Sequence, residues 1–89
     1  MNFMSIIGII ESFEINKEGK STINVKIDSP FYREDNNYQQ NQIVPVKFNS
    51  FIFKNILKIL TINSVVGIKG RIEIENNNIE LVAERIKLF

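Results

Sequence analysis

The sequence predicts an all-β fold with one helix: a barrel of five short strands, with the helix between the third and fourth strands. Three observations lead to this prediction. The chain has 89 residues, enough for one domain, which we expect to span residues 1–89. Apolar and polar residues alternate with a period of two over most of the chain. One segment, and only one, shows helical spacing instead.

The first two strands are predicted over residues 5–15 and 21–28. The first is apolar on both faces around Gly8, which indicates a long, bent strand shared between two sheet edges or covered by a partner. In the second, Ile23, Val25 and Ile27 fall on one face. A turn at residues 17–20 joins the two strands.

The third strand is predicted over residues 43–49, after a polar loop at residues 33–42. Val44, Val46 and Phe48 share one face, so we expect Phe48 to point into the core.

The helix is predicted over residues 51–61, with Ser50 as its N-cap and Asn63 ending it in the left-handed conformation. Lys54 and Lys58 lie together on its polar side. The apolar side consists of Ile52, Phe53, Ile56, Leu57 and Leu60.

The last two strands are predicted over residues 65–75 and 79–89, joined by a tight hairpin at residues 76–78. In the last strand the apolar phase slips between Ala83 and Ile86, so we expect a bulge near Glu84. In the fourth strand the apolar face is formed by Val66, Ile68, Ile72 and Ile74.

This order of elements is that of the OB-fold, a five-stranded Greek-key barrel whose second and third strands and connecting loops bind oligomers. The competing architecture is an SH3-like barrel, which does not usually place a three-turn helix between its third and fourth strands.

The charge is unevenly distributed along the chain. The net charge is +1, yet residues 36–72 contain five basic residues and no acidic one. Such a block allows a near-neutral protein to bind an anionic polymer, although chance clustering of solvated lysines also explains it. The block consists of Lys47, Lys54, Lys58, Lys69 and Arg71.

Composition argues against several other classes. The chain has no histidine, no cysteine and no glycine-rich phosphate loop, so we expect no enzyme activity, no metal site and no cofactor. No apolar run approaches the roughly 20 residues of a membrane span. The N-terminal residues 1–10 lack the features of a signal peptide, which favours a cytoplasmic location.

Several short motifs resemble the bacterial single-stranded DNA-binding protein family. Together, in order, they cover nearly the whole chain from Asn2 to Phe89. The resemblance implies an OB-fold that binds single-stranded DNA in replication, recombination or repair. The motifs are IG at 7–8, DSPF at 28–31, FKNI at 53–56, VVGIKGRI at 65–72 and AERI at 83–86, which resemble the family's IG, NRPF, AENV, VxVxGRL and last-strand segments.

The sequence also departs from that family. Ile9 stands where the family has an arginine, and neither Ile43 nor Asn49 is the stacking residue that the family has in its third strand. The chain stops at Phe89 with its last strand, so we expect no acidic C-terminal tail for recruiting other proteins. The closest description is a minimal relative from a plasmid, phage or mobile element, or a tail-less primosomal replication-restart protein.

The predicted binding residues combine rings for base stacking with cations for phosphates, the two components of single-strand binding without sequence preference. Phe31 and Tyr32 follow the second strand, where the family places an aromatic, and Arg33 comes next. Lys26 and Lys47 are expected to be near neighbours on strands two and three. The full candidate set is Lys26, Phe31, Tyr32, Arg33, Tyr38, Lys47, Lys69 and Arg71.

Self-association is also expected. Ile7, Ile9 and Val65 point away from the barrel interior, and isolated barrels rarely leave such strips in contact with water. We therefore expect a homodimer or homotetramer, formed through the first strand and the last hairpin. The alternative is a protein-interaction module with little affinity for nucleic acid.

Overall fold

The computed structural model describes residues 2–28 and 41–89. Within these residues five strands form a closed barrel, with one helix between the third and fourth strands, as predicted; around the barrel the fifth strand lies between the third and the fourth. The described residues contain no helix with the length and apolar character needed to cross a bilayer. The elements are β1 (Met4–Glu14), β2 (Lys20–Asp28), β3 (Asn41–Asn49), α1 (Lys54–Leu57), β4 (Val65–Glu75) and β5 (Asn78–Leu88).

Strand β1 belongs to two sheet edges, which confirms that prediction. Ile9 is the point of exchange, because it pairs with Lys26 on β2 and with Val65 on β4. At Gly8 a Cβ atom would lie 2.5 Å from the Lys26 carbonyl oxygen. Glycine is therefore required where β1 crosses closest to β2.

The predicted bulge in β5 is present at Glu84. Lys69 pairs with Arg85 and Gly70 pairs with Ala83, so Glu84 is the extra residue with no partner on β4. The extra residue shifts the alternation of β5 by one position, so the Ile86 side chain points inward again. It also brings the β5 backbone so close to Gly70 that no side chain fits there.

The core lies inside the barrel and consists of apolar residues from all five strands. Phe48 is fully buried, as predicted, and packs edge-on against Phe53 at 6.0 Å between ring centroids. The predicted apolar face of β4 is only partly internal, because Ile72 is 38% and Ile74 is 75% exposed. Both lie where β4 and β5 extend as a hairpin towards Asn76 and Asn77, beyond the barrel interior.

The predicted helix over residues 51–61 is wrong in extent. One turn, Lys54–Leu57, is helical, and the residues after it form separate turns with Ile56 as the acceptor. Isoleucine and phenylalanine are weak helix formers, and many of them lie in this segment. Ile52, predicted on the buried side, is 73% exposed.

The N-cap prediction is also wrong. The Ser50 hydroxyl donates to the Asn16 carbonyl at 2.6 Å and so links the end of β3 to the turn between β1 and β2. Instead, the side-chain oxygen of Asn49 accepts from the backbone N–H groups of Phe51 and Ile52, at 2.8 and 3.3 Å. The predicted left-handed residue Asn63 is confirmed, with φ 73°.

The hairpin between β4 and β5 is as tight as predicted. Asn76 and Asn77 have φ values of 50° and 64°, and the flanking residues Glu75 and Asn78 pair with each other. Two consecutive positive φ values are typical of a type I′ turn, which asparagine tolerates.

Candidate nucleic-acid interface

The outer face of β2 and β3 carries two of the predicted cations, at opposite ends. Four residues of strand separate them, or about 14 Å. The expectation that Lys26 and Lys47 are near neighbours is therefore wrong. The cross-strand pairs on this face are Lys26 with Ile43, Asn24 with Pro45, and Thr22 with Lys47.

Apolar side chains occupy the space between these lysines. Ile43 is 53% exposed beside Lys26, and Pro45 is also exposed. Asn24 is held by its side-chain N–H, which donates to the Ser12 hydroxyl at 2.9 Å. The face is thus an open strip with cationic ends and an apolar middle.

Lys47 has a fixed position on this strip. Its Nζ donates to the Thr22 hydroxyl at 2.8 Å, and its side chain is half-buried. Among the side chains that the structure describes, which leave out that of Asp28, no carboxylate lies within 4 Å of Lys47 or Lys26.

The parallel contact between β3 and β5 brings Lys47 towards Arg71. Lys47 pairs with Val82, which pairs in turn with Arg71 on β4. These residues line one groove, together with Lys20, Glu73 and Glu84. Sequence separation gives no sign of this neighbourhood, because it depends on the closure of the barrel.

Arg71 is not a free cation. Its guanidinium lies 2.8 Å from Glu73 and 3.5 Å from Glu84, and the hydrogen bond with Glu73 is the main cause that raises the Arg71 pKa above its ordinary value. Lys20 is likewise 3.7 Å from Glu80 and more loosely paired with Glu75. The prediction that Arg71 contacts phosphate therefore applies to a group already paired with carboxylates.

Four predicted binding residues lie outside the described residues: Phe31, Tyr32, Arg33 and Tyr38. Their roles stay predictions.

Phe51 is an exposed ring that the sequence interpretation missed. It is 57% exposed, and the Lys54 Nζ lies 5.7 Å from its ring centroid. Phe51 lies outside the apolar side predicted for the helix, so its position in the sequence already indicated an exposed ring. Asn49, two residues earlier, accepts from the backbone N–H groups of Phe51 and Ile52 through its amide oxygen.

A second group of cations lies on the outer face of β1, β4 and β5. Lys69 is exposed there, as predicted, and pairs with Ser5 on one side and Arg85 on the other. Lys87 and the ring of Phe89 line the same groove, and neither was predicted as a binding residue.

No protein-family model matches the chain, and no curated protein matches it in sequence. Solved structures do match. The mitochondrial single-stranded DNA-binding protein from S. cerevisiae is 20% identical, with a TM-score of 0.71 over 98% of this chain and 92% of that one. A structure of the Stn1–Ten1 complex from S. pombe is 20% identical, with a TM-score of 0.69, and this chain spans 59% of the matched chain.

A third match is the dimeric N-terminal domain of the PriB protein from Thermoanaerobacter tencongensis. It is 17% identical, with a TM-score of 0.63 over 99% of this chain and 96% of that one. The TM-scores show that the chain shares its fold with these proteins. The structural neighbours confirm the predicted OB-fold and the fold-level resemblance to single-stranded DNA-binding proteins.

Proposed function

We propose that this protein binds single-stranded DNA without sequence preference, in support of replication, recombination or repair in the cytoplasm, and that it is not an enzyme. One observation carries the proposal: the open outer face of β2 and β3, where Lys26 and Lys47 flank exposed Ile43 and Pro45. In OB-folds this face binds oligonucleotides. The likeness to a single-stranded DNA-binding protein supports it.

The two lysines contact phosphates, and the apolar middle of the strip contacts the faces of bases. Each neutralised phosphate adds about 0.7 to the slope of log affinity against log salt for a single strand. Stacking on Phe31, Tyr32 or Tyr38 supplies about 1–3 kcal/mol per base, and Arg33 adds a phosphate contact. Every base has such a face, so sequence preference is weak.

The protein also self-associates in this proposal. Ile7 is 70%, Ile9 40% and Val65 42% exposed, and the three lie together where β1 pairs with β4. A contiguous apolar strip of this kind favours a symmetric homodimer or homotetramer through β1. The dimeric OB-fold of the PriB domain supports it.

Titration of a fluorescent oligo-dT at low and high salt tests the DNA-binding proposal. The wild-type protein should bind tightly at low salt and weakly at high salt. Lys47→Glu and Tyr32→Ala should each weaken binding about tenfold or more. Lys17→Glu makes the same charge change in an exposed turn and is the control.

If the wild-type protein does not bind oligo-dT at low salt, the proposal fails and the interaction module replaces it. Equal losses in Lys47→Glu and Lys17→Glu would show that net charge, and not the β2–β3 face, controls binding.

A further inference from the structure

Two like charges face each other on the outer surface of β4 and β5. Lys69 and Arg85 are direct cross-strand partners, and both are exposed. Like charges in this position destabilise a sheet unless an anion lies between them. In the part of the chain that the structure describes, no carboxylate lies within 4 Å of either.

An exposed ring lies in the next row of the same face. Phe89 is 68% exposed, and its ring rests on Gly67, where a Cβ atom would come within 3.1 Å of the ring edge. The Lys87 Nζ lies 5.2 Å from the ring centroid. A ring that packs against the backbone and has a cation beside it provides a flat surface on which a nucleobase can stack.

This face is continuous with the groove that contains Lys47. The groove along β4 and β5 and the groove along β3 and β5 share two lining residues, Phe53 and Glu84. The bulge residue Glu84 marks the boundary, and its carboxylate is already paired with Arg71. The acidic side chains that line this path among the described residues are Glu73 and Glu84, and both are paired with Arg71.

We propose that single-stranded nucleic acid bound at the β2–β3 face continues across β5 onto a second contact surface formed by Lys69, Arg85, Lys87 and Phe89. Lys69, Arg85 and Lys87 contact phosphates, and Phe89 stacks on a base. This inference rests on the proposed function, since it extends the path of the same ligand.

A second copy of the chain fits this surface less well than a polyanion. A twofold contact centred on it would place Lys69 and Arg85 of one copy against the same cations of the other. The apolar strip of Ile7, Ile9 and Val65 carries no charge, so a twofold contact through it lacks this conflict. Ile7 pairs with Gly67 beneath the Phe89 ring, so Phe89 lies at the border between the two surfaces.

The test compares two variants with equal changes of charge, using oligo-dT of about 30 nucleotides so that the ligand can reach both surfaces. Lys69→Gln/Arg85→Gln removes the facing cations. Lys17→Glu changes the charge by the same amount at one exposed turn residue. The double variant should bind about tenfold more weakly and lose about 1.4 from the salt slope, whereas Lys17→Glu should retain the wild-type slope.

The ring is tested with Phe89→Ala and Phe89→Tyr. Alanine should weaken binding about tenfold, and tyrosine should retain it, because stacking needs a ring of either kind. Replacing Lys69 and Arg85 relieves a repulsion, so the melting temperature of that double variant should not fall.

Failure of this inference is distinct from failure of the proposed function. If the wild-type protein binds oligo-dT and Lys69→Gln/Arg85→Gln binds it with the same slope, the second surface is overturned and the β2–β3 face stands. A loss of binding that accompanies dissociation in light scattering also overturns it. If the wild-type protein does not bind, both are overturned.

Discussion

Arg71 is neutralised by Glu73 on its own strand: its Nε and Nη2 both lie 2.8 Å from the same carboxylate oxygen. Glu84, at 3.5 Å, is a second carboxylate on the same guanidinium. The cation that lines the same groove as Lys47 across the β3–β5 contact is therefore paired within the protein itself. Its contribution to binding a polyanion is reduced accordingly.

Freeing Arg71 should strengthen binding. We expect Glu73→Gln/Glu84→Gln to bind oligo-dT more tightly and to raise the salt slope by about 0.7, because one more cation becomes available to a phosphate. Fluorescence titration over a range of salt concentrations measures both. Glu11→Gln/Glu18→Gln changes the charge equally at exposed positions and should leave the slope unchanged. An equal increase in both variants would contradict a specific role for Arg71.

The apolar strip on β1 should control self-association. We expect Ile7→Glu to convert a dimer or tetramer into monomers, because a carboxylate would have to be buried in the interface without a partner. Light scattering at tens of micromolar measures the mass. Ile59→Glu, at a residue 55% exposed outside the strip, should keep the wild-type mass. A wild-type protein that is monomeric at this concentration would refute the prediction.

Two glycines on β4 should differ sharply in their tolerance of a methyl group. Gly70→Ala forces the Cβ against the backbone of Val82 and Ala83 at the bulge, so we expect a loss of about 3 kcal/mol in the free energy of unfolding. Gly67→Ala meets only the ring of Phe89, which can move, and should cost less than about 1 kcal/mol. Urea unfolding measures both, and equal costs would be inconsistent with the bulge geometry.

Ser50 should stabilise the closed barrel. Its hydroxyl donates to the Asn16 carbonyl and lies 2.6 Å from the Ser21 hydroxyl, and both serines are 1% exposed. Ser50→Ala leaves these buried polar groups with fewer partners, at a cost of about 1–3 kcal/mol in thermal or urea unfolding. Ser5→Ala, at an exposed position, should change stability by less than about 0.5 kcal/mol. A neutral Ser50→Ala would show that this network does not stabilise the fold.

The alternation of residues along a short stretch was enough to predict those features whose physical cause is local. The burial of Phe48 and the bulge at Glu84 were both predictable, because each follows from the alternation of neighbouring side chains. The predicted helix failed because two local signals conflicted. In residues 51–61 the weak helix propensity of isoleucine outweighed the helical spacing, and Asn49 capped the turn in place of Ser50.

The features of the binding surface also divide into those that the sequence predicts and those that depend on tertiary structure. The sequence by itself determined that Lys26, Lys47 and Lys69 point outward, because a period of two assigns each residue to a face. Which cations become neighbours was decided by tertiary structure: Lys47 meets Arg71 through Val82, and Lys69 meets Arg85. Cross-strand register joins residues far apart in the chain, and it is set by barrel closure, which no short stretch of sequence contains.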